Sequence, residues 1–251
     1  MAAPSSRLAW REPEPLPTGL DVISHAAAGY WHRRPACAAR LRLDAEAADR
    51  LAADFKQLNT HDLRLRLRDY RDVIRRGGAG AGSATVPALA ALREASDRTL
   101  GLRPFVVQLM GALALHRGFL AEMATGEGKT LTAGLAAILA GWTRHPTHLI
   151  TVNDYLVERD AEWLGPLYEF AHVRVGTVTA AMPPADRRKG YDADVTYATS
   201  KELLADFLRD RIALGAVHQP TRRIIRELLV PKVAGNEQER LVLRGLHTVI
   251  V

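Results

Sequence analysis

The chain has 251 residues, of which 47% are hydrophobic and 25% charged, and this composition excludes a wholly disordered protein. Its one cysteine, Cys37, excludes a disulfide within the chain and a zinc site of several cysteines, and we expect it to be a small buried hydrophobic residue. The net charge of +6 favours an acidic partner such as nucleic acid or anionic lipid, but an Arg-rich coding habit explains it equally well, because only five of the 34 basic residues are lysine.

The first hundred residues predict a leader followed by helices. Residues 1–40 contain clustered prolines and little periodicity, so we expect a loosely ordered leader. Apolar residues three and four apart predict helix over Leu41–Arg76, where arginine alternates with leucine. These arginines indicate either an arm that binds nucleic acid or the solvated face of an amphipathic helix. The glycines of residues 77–84 predict a flexible break, and a second helix follows over about Pro87–Leu100.

From residue 101 onwards, short apolar runs alternate with helical patterns. Strands are predicted at residues 119–123, 147–152, 173–178, 194–199 and 247–251. Helices are predicted from Lys129 and over residues 154–170 and 200–212. Strands that alternate with helices indicate a parallel sheet covered by helices, so we predict an α/β fold. The longest apolar run, residues 131–142, is shorter than the roughly 18–20 residues of a membrane span, and no signal peptide opens the chain, so we expect a soluble cytoplasmic protein.

The stretch TGEGKT, residues 125–130, has the order of a phosphate-binding loop between a strand and a helix. Backbone N–H groups of the loop and the dipole of the following helix would favour binding of an anion there. Gly126 and Gly128 allow the turns without a side chain in the phosphate volume. Lys129 would reach the β- and γ-phosphates of ATP, and the Thr130 hydroxyl would hold Mg²⁺. Met123 stands where the motif usually has its first glycine, and the alternative is a strand–turn–helix that binds nothing.

The loop, with Thr125 before its first glycine, resembles the motor cores of superfamily 2 ATPases. In that group an upstream glutamine grips the adenine base. Gln108 stands eighteen residues before Gly126, where its amide would pair with the edge of the base.

Three longer stretches resemble one family, the SecA motors of bacterial preprotein export. They are residues 94–141, residues 147–170 (THLITVNDYLVERDAEWLGPLYEF) and residues 187–210 (RRKGYDADVTYATSKELLADFLRD). Related helicases usually carry a PTREL-like motif where this chain has TVNDYL. The resemblance implies a RecA-like P-loop NTPase core with a parallel sheet, preceded by an α-helical N-terminal segment. It divides the chain into a leader (1–40), a helical segment (41–100) and a partial nucleotide-binding domain (101–251).

The resemblance also implies roles for individual residues. It assigns Gln108 to adenine, and to the phosphates and Mg²⁺ it assigns Gly126, Glu127, Gly128, Lys129 and Thr130. The segment that couples nucleotide state to domain movement would contain Asn153, Asp154, Arg159 and Asp160. A simpler interpretation of that segment is helix capping by Asn153 or Asp154, and both roles can hold together. Arg209 and Asp210 match the family's LRD motif, with a surface ion pair near a helix end as the alternative.

Two parts of the chain depart from the family. Residues 212–244 show no convincing match, which indicates a divergent insertion. In the family, the strand that resembles HTVIV runs into acidic Walker B residues that hold Mg²⁺ through water, and the 251 residues stop before them. We therefore expect a fragment or a truncated copy that binds ATP weakly and hydrolyses it poorly.

Three functions follow from these observations. The resemblance implies a protein-export ATPase that works with the SecYEG channel, preproteins and anionic lipid, as a possible homodimer at the inner (plasma) membrane. A nucleic-acid helicase would suit the charge, but the TVNDYL motif argues against it, and no nucleic-acid partner is expected. The third interpretation is a stand-alone nucleotide-binding or regulatory module, or an inactive copy.

Overall fold

A computed structural model describes residues 35–214 and 241–251, with isolated positions between residues 22 and 29. The predictions for most of the leader and for most of the 212–244 stretch lie outside these residues. From Pro35 onwards, the described residues form first the helices α1 Pro35–Lys56, α2 Thr60–Arg76, α3 Ala79–Leu100, α4 Val106–His116 and α5 Lys129–Gly141. The start of α1 and the helical residues 22–24, 27 and 29 all lie inside the stretch for which the sequence predicted a loosely ordered leader. Cys37 in α1 is half-buried, where the sequence predicted full burial.

The first three helices form a bundle in which α1 and α2 both pack against α3. Asn59 caps α2, because its side chain accepts a hydrogen bond from the Asp62 N–H at 2.8 Å. One face of α2 is buried through Leu63, Leu67 and Ile74, while arginines occupy the exposed face. The interpretation of this segment as an amphipathic helix is therefore confirmed.

The predicted break at residues 77–84 was wrong for most of its length. Only Gly77 and Gly78 stand outside helix, with φ of 72° and 77°, and α3 begins at Ala79 rather than near Pro87. A glycine inside a helix costs about 1 kcal/mol relative to alanine. Burial of the alanines and leucines of α3 against two neighbouring helices outweighs that cost. A glycine count alone could not show this packing.

The strand predicted at residues 119–123 is also absent from the described residues. This run has no regular secondary structure, and Leu120 is 97% exposed, which is the opposite of a buried strand. A strand exists only through hydrogen bonds to a neighbour, and an apolar run in a sequence does not identify that neighbour.

The predicted α/β class with a parallel sheet is confirmed. The described residues contain four parallel strands: β1 Thr147–Thr151, β2 Val175–Val178, β3 Val195–Thr199 and β4 Thr248–Ile250. Their order across the sheet is β2-β3-β1-β4, with β1 and β3 in the centre. β3 is buried along its whole length, as expected for a parallel sheet covered by helices.

Three helices accompany this sheet: α6 Asp154–Phe170, α7 Pro184–Tyr191 and α8 Ser200–Leu214. α6 packs against β1, β2 and β3, while α7 contacts β2 and β3, and α8 contacts β3. The sequence predicted α6 with the observed bounds, but no helix was predicted where α7 lies. A proline at the first position of α7 starts this short helix, since a missing N–H costs nothing there.

The described residues divide into two compact units, and the division falls between Ala136 and Ala137, within α5. The phosphate loop belongs to the first unit and the sheet to the second. The three-part division predicted from the sequence remains a prediction. None of the helices described is long and apolar enough to cross a membrane.

Candidate functional site

The phosphate loop, by which we mean residues 124–130, is a tight turn that leads into α5. The Glu127 N–H donates to the Ala124 carbonyl at 3.4 Å and closes a four-residue turn. Gly126, the third residue of this turn, has a φ of 86°, the left-handed value that a type II turn requires there. Gly128 has a φ of 84° directly before helical Lys129. Both glycines that the sequence singled out are therefore used to reverse the chain.

Most backbone donors of this loop are unused. The Ala124 N–H donates to the Glu127 carboxylate, to Oε2 at 2.9 Å. Nowhere in the described part of the chain is there an acceptor for the N–H groups of Thr125, Gly126, Gly128, Lys129 and Thr130. Unpaired N–H groups at a helix N-terminus favour an anion, since the helix dipole acts in the same direction. The loop therefore fits a phosphate group.

Gln108 is held against this loop. Its Nε2 donates to the Glu127 carbonyl at 2.7 Å, and its Oε1 accepts from the Phe105 N–H at 3.0 Å. The side chain is buried, so both ends of the amide are occupied inside the protein. The structure thus places Gln108 at the loop, while the predicted contact with adenine stays a prediction. The amide keeps a second N–H and a second lone pair for a further partner.

The segment that carries Gln108 is fixed by a charged cluster on α3. Arg93 donates to the Pro104 carbonyl at 2.7 Å, and Ser96 donates to the Leu102 carbonyl at 2.6 Å. Arg103 pairs with buried Glu94 at 3.0 Å. These bonds set the path of the chain into α4, and therefore the position of Gln108.

Met123, which replaces the usual first glycine, packs against α4. A Cβ added to Gly111 of α4 would stand 3.6 Å from Met123 Sδ and 2.9 Å from Thr132 Cγ2. Gly111 is therefore needed where α4 meets the start of α5, and Met123 fills space beside it. The Thr132 hydroxyl is buried without a partner among the described residues.

Lys129 and Thr130 open α5, as the sequence predicted. Lys129 is exposed and pairs with no acidic side chain in the described ranges, so its ammonium group is available to an anion. The Thr130 hydroxyl likewise has no hydrogen-bond partner there. No group of three or more His, Cys, Asp or Glu side chains that could hold a metal occurs among the described residues.

The next four candidate residues stand at the start of α6, in the second unit. Asn153 is the N-cap, with its side chain accepting from the Leu156 N–H at 2.9 Å, which confirms the capping interpretation. Asp154 Oδ2 accepts from the Ala180 N–H at 2.9 Å and ties the helix to the loop after β2. Arg159 pairs with buried Asp160 at 2.6 Å.

Arg209 and Asp210 do not pair with each other as the sequence alternative suggested. Arg209 contacts Asp206 at 2.7 Å. Asp210 is buried and accepts from the N–H groups of Val242 and Leu243, at 3.0 Å and 2.8 Å. Burial raises the pKa of this carboxyl, and the two N–H donors act against that rise. The surface ion pair was therefore wrong, because Asp210 fixes the segment that leads into β4.

The sequence missed a buried ionic cluster beside these residues. Arg187 donates to Asp206 at 2.9 Å and to the Thr179 and Ala180 carbonyls at 3.0 Å, and it pairs with Glu202 at 2.6 Å. The Tyr191 hydroxyl also donates to Asp206 at 2.9 Å. The cluster joins charged residues of α7 and α8, and the sequence pattern of these two helices does not indicate that their charged side chains meet in the interior.

Comparison with known proteins identifies one family. The family model described as SecA DEAD-like domain matches residues 30–251. Protein translocase subunit SecA 2 of Chlorobium chlorochromatii is 43% identical over 240 residues, which are 96% of this chain and 36% of that protein. Protein translocase subunit SecA 2 of Magnetococcus marinus is 41% identical over 241 residues, 95% of this chain and 37% of that protein. Protein translocase subunit SecA of Carboxydothermus hydrogenoformans is 42% identical over 189 residues, 75% of this chain and 21% of that protein.

The chain thus spans little more than a third of the length of the SecA 2 relatives it matches. The family match extends beyond the motifs, because it includes the helices before residue 94 and runs through residues 212–244 to the end of the sequence.

Proposed function

The chain belongs to the SecA family, and we propose that its phosphate loop binds the triphosphate of ATP as part of a protein-translocase motor. The observation that carries this proposal is the row of unpaired N–H groups at residues 125–130, at the N-terminus of α5. The exposed Lys129 ammonium group would add a positive charge, and the Thr130 hydroxyl would hold Mg²⁺.

Gln108 would recognise the base. Its amide has two N–H donors and an oxygen with two lone pairs, of which one N–H bonds to the Glu127 carbonyl and one lone pair accepts from the Phe105 N–H. The remaining N–H and lone pair match the acceptor and donor on the edge of adenine, so Gln108 would contact the base and the loop together. Gln108 thereby connects occupancy of the base site to the backbone of the loop.

The family's coupling role is proposed for Asn153, Asp154, Arg159, Asp160, Arg209 and Asp210. Their contacts support a mechanical role, because Asp154 and Asp210 each tie a helix to the backbone of a separate segment. Hydrolysis of ATP would supply the free energy for the domain movement that these residues couple to nucleotide state.

For the whole protein, we propose preprotein export through SecYEG. The support is that the relatives are named protein translocase subunits. The exposed arginines Arg66, Arg68 and Arg76 of α2 have no partner among the described residues and suit contact with anionic lipid at the inner face of the plasma membrane.

The proposal is tested by binding of a fluorescent ATP analogue with Mg²⁺. Saturable binding is expected for the unaltered chain, with a loss of at least about tenfold in affinity for Lys129→Ala and a smaller loss for Gln108→Ala. Lys56→Ala, at an exposed lysine outside the loop, is the control and should bind normally. Folded protein that shows no binding, or equal binding by Lys129→Ala, contradicts the proposal.

A further inference from the structure

Glu127 makes two different contacts with its surroundings in the phosphate loop. Its backbone carbonyl accepts from Gln108, and its carboxylate accepts from the N–H of Ala124, the first residue of the turn. The Glu127 N–H in turn donates to the Ala124 carbonyl. The first and last residues of the turn are therefore joined twice, once through the backbone and once through a negatively charged side chain.

A carboxylate at this position competes with the ligand that the loop is proposed to bind. Phosphate oxygens and carboxylate oxygens seek the same partners, namely backbone N–H groups near a helix N-terminus. The Ala124 N–H is the one donor of the loop that is already taken by an anionic side chain, while its neighbours are unpaired. A triphosphate placed in the loop would also feel the charge of Glu127 directly.

We propose that Glu127 is an internal counter-anion of the phosphate loop, which holds the empty loop closed and lowers its affinity for nucleotides in proportion to their negative charge. This inference rests on the proposed function of the loop. It gives Glu127 an effect on nucleotide affinity opposite to the one that the family resemblance implied. The resemblance grouped Glu127 with the residues that hold the phosphates and Mg²⁺, in which case its charge would help binding. The contact with Ala124 indicates that it opposes binding.

The arrangement has a consequence for the motor. A loop that carries its own anion can close after the phosphates leave. The carboxylate then replaces one of the negatively charged hydrogen-bond acceptors that the nucleotide offered to the loop. Gln108 takes part, because its bond to the Glu127 carbonyl fixes the residue that bears the carboxylate. Loss of nucleotide and closure of the loop would then be a single exchange of hydrogen bonds.

The test uses the full 251-residue chain and the variant Glu127→Gln. The glutamine carbonyl can still accept from the Ala124 N–H, so the turn is kept while the charge is removed. Dissociation constants are measured by calorimetry without Mg²⁺ for adenosine, AMP, ADP and ATP. We expect roughly three- to tenfold tighter binding of ATP by the variant, less for ADP, and no change for adenosine, because only charge–charge repulsion is relieved.

Glu122→Gln is the matched control, since Glu122 is an exposed carboxylate in the run that enters the loop and has no partner among the described residues. It removes the same charge and should leave all four constants nearly unchanged. Unchanged or weaker ATP binding by Glu127→Gln overturns the proposal. So does an equal gain for adenosine, which would indicate a loosened loop, or an equal gain in Glu122→Gln, which would indicate a general charge effect.

A second measurement needs no nucleotide. In the empty protein, the Ala124 amide proton should exchange faster with solvent in Glu127→Ala than in the unaltered chain, and Glu127→Gln should lie between them. Equal exchange in all three means that the carboxylate does not hold this N–H, which overturns the inference. If the unaltered chain and Lys129→Ala both fail to bind ATP, the proposed function fails instead, and amide exchange still reports on the contact.

Discussion

The side chain of Gln108 lies directly against the backbone of Gly128. A Cβ added to Gly128 would stand 2.3 Å from Gln108 Nε2, a distance that no folded protein tolerates without movement. The same amide nitrogen donates to the Glu127 carbonyl at 2.7 Å. Gly128 is thus required for two reasons, its left-handed φ of 84° and the glutamine packed on it.

This contact predicts different costs at the two glycines of the loop. Gly126→Ala should lower the free energy of unfolding by roughly 1–2 kcal/mol, because alanine is strained at a positive φ while nothing lies within 4 Å of the new Cβ. Gly128→Ala should cost more, since it adds the collision with Gln108. In the double variant Gly128→Ala with Gln108→Ala, part of the lost stability should be recovered, because the side chain that collides with the new Cβ has been removed. Urea denaturation of the four proteins measures these differences, and equal costs for the two glycine variants would contradict the prediction.

The α/β class and most of its elements could be predicted from the sequence because short stretches rich in β-branched residues alternate with helical patterns. Residues 147–151, THLIT, form one such stretch, and α6 was predicted with its observed bounds because Asn153 caps it. The predictions failed where tertiary packing decides. Burial of α3 overrode two glycines at positions 80 and 82, and residues 119–123 found no strand to pair with in the described sheet.

Because the His148 side chain is buried, we predict that the stability of the folded chain depends on pH. Burial lowers the pKa of His148 below its ordinary value of 6.5, and nearby Arg244 acts in the same direction, while the bond to the Gly245 carbonyl opposes them. The proton is therefore held more weakly in the folded chain than in the unfolded one. The stability that neutral His148 provides is fully present above pH 6.5 and is lost as pH falls through the lower, folded-state value.

We therefore expect the free energy of unfolding to fall between pH 7 and pH 5 and to fall less steeply in His148→Asn. Half-buried His116 also has a pKa lowered by its partial burial, so part of the slope should remain in the variant. Proton NMR of the His148 ring in the folded chain gives a direct check. A ring that titrates at or above pH 6.5 would show that the argument is wrong.

The contact between Gly176 of β2 and Gly190 of α7 predicts a large effect of one methyl group. A Cβ on Gly176 would lie 2.2 Å from the Gly190 carbonyl oxygen, and backbone atoms cannot turn away as a side chain can. Gly176→Ala should lower the free energy of unfolding by roughly 3 kcal/mol or more. Gly82→Ala is the control, because nothing lies within 4 Å of its Cβ and it stands inside α3. It should stabilise the chain by roughly 0.5–1 kcal/mol, and a similar loss in both variants would refute the prediction.

The loop residues of the candidate site could be predicted because their types are dictated locally. Gly126 and Gly128 are needed for their φ angles, and Lys129 follows at the helix start. What could not be predicted was the partner of each polar group. The sequence predicted that Gln108 contacts the adenine base, and the structure adds that its amide is bonded to the loop. Asp210 matched a motif beside Arg209, yet its partners lie more than thirty residues further along the chain.

The two arginines that share Asp206 should differ widely in importance. Both contact its carboxylate, Arg187 at 2.9 Å and Arg209 at 2.7 Å, so distance alone would rank them equally. The Arg187 side chain is 6% exposed and that of Arg209 is 61% exposed. Solvent and salt screen the exposed pair, and such pairs contribute at most about 1 kcal/mol. Removal of one partner from a buried pair costs about 3–5 kcal/mol, because the other charge stays buried and unpaired.

Lysine in place of each arginine keeps the charge and tests geometry. A single ammonium group cannot reach Asp206, Glu202 and the carbonyls of Thr179 and Ala180 together, so Arg187→Lys leaves several buried acceptors unpaired. We expect it to lose roughly 2–4 kcal/mol in urea denaturation, and Arg209→Lys to lose less than about 1 kcal/mol. High salt should reduce the Arg209 effect and leave the Arg187 effect nearly unchanged. Equal losses in the two variants would mean that burial does not set the value of these pairs.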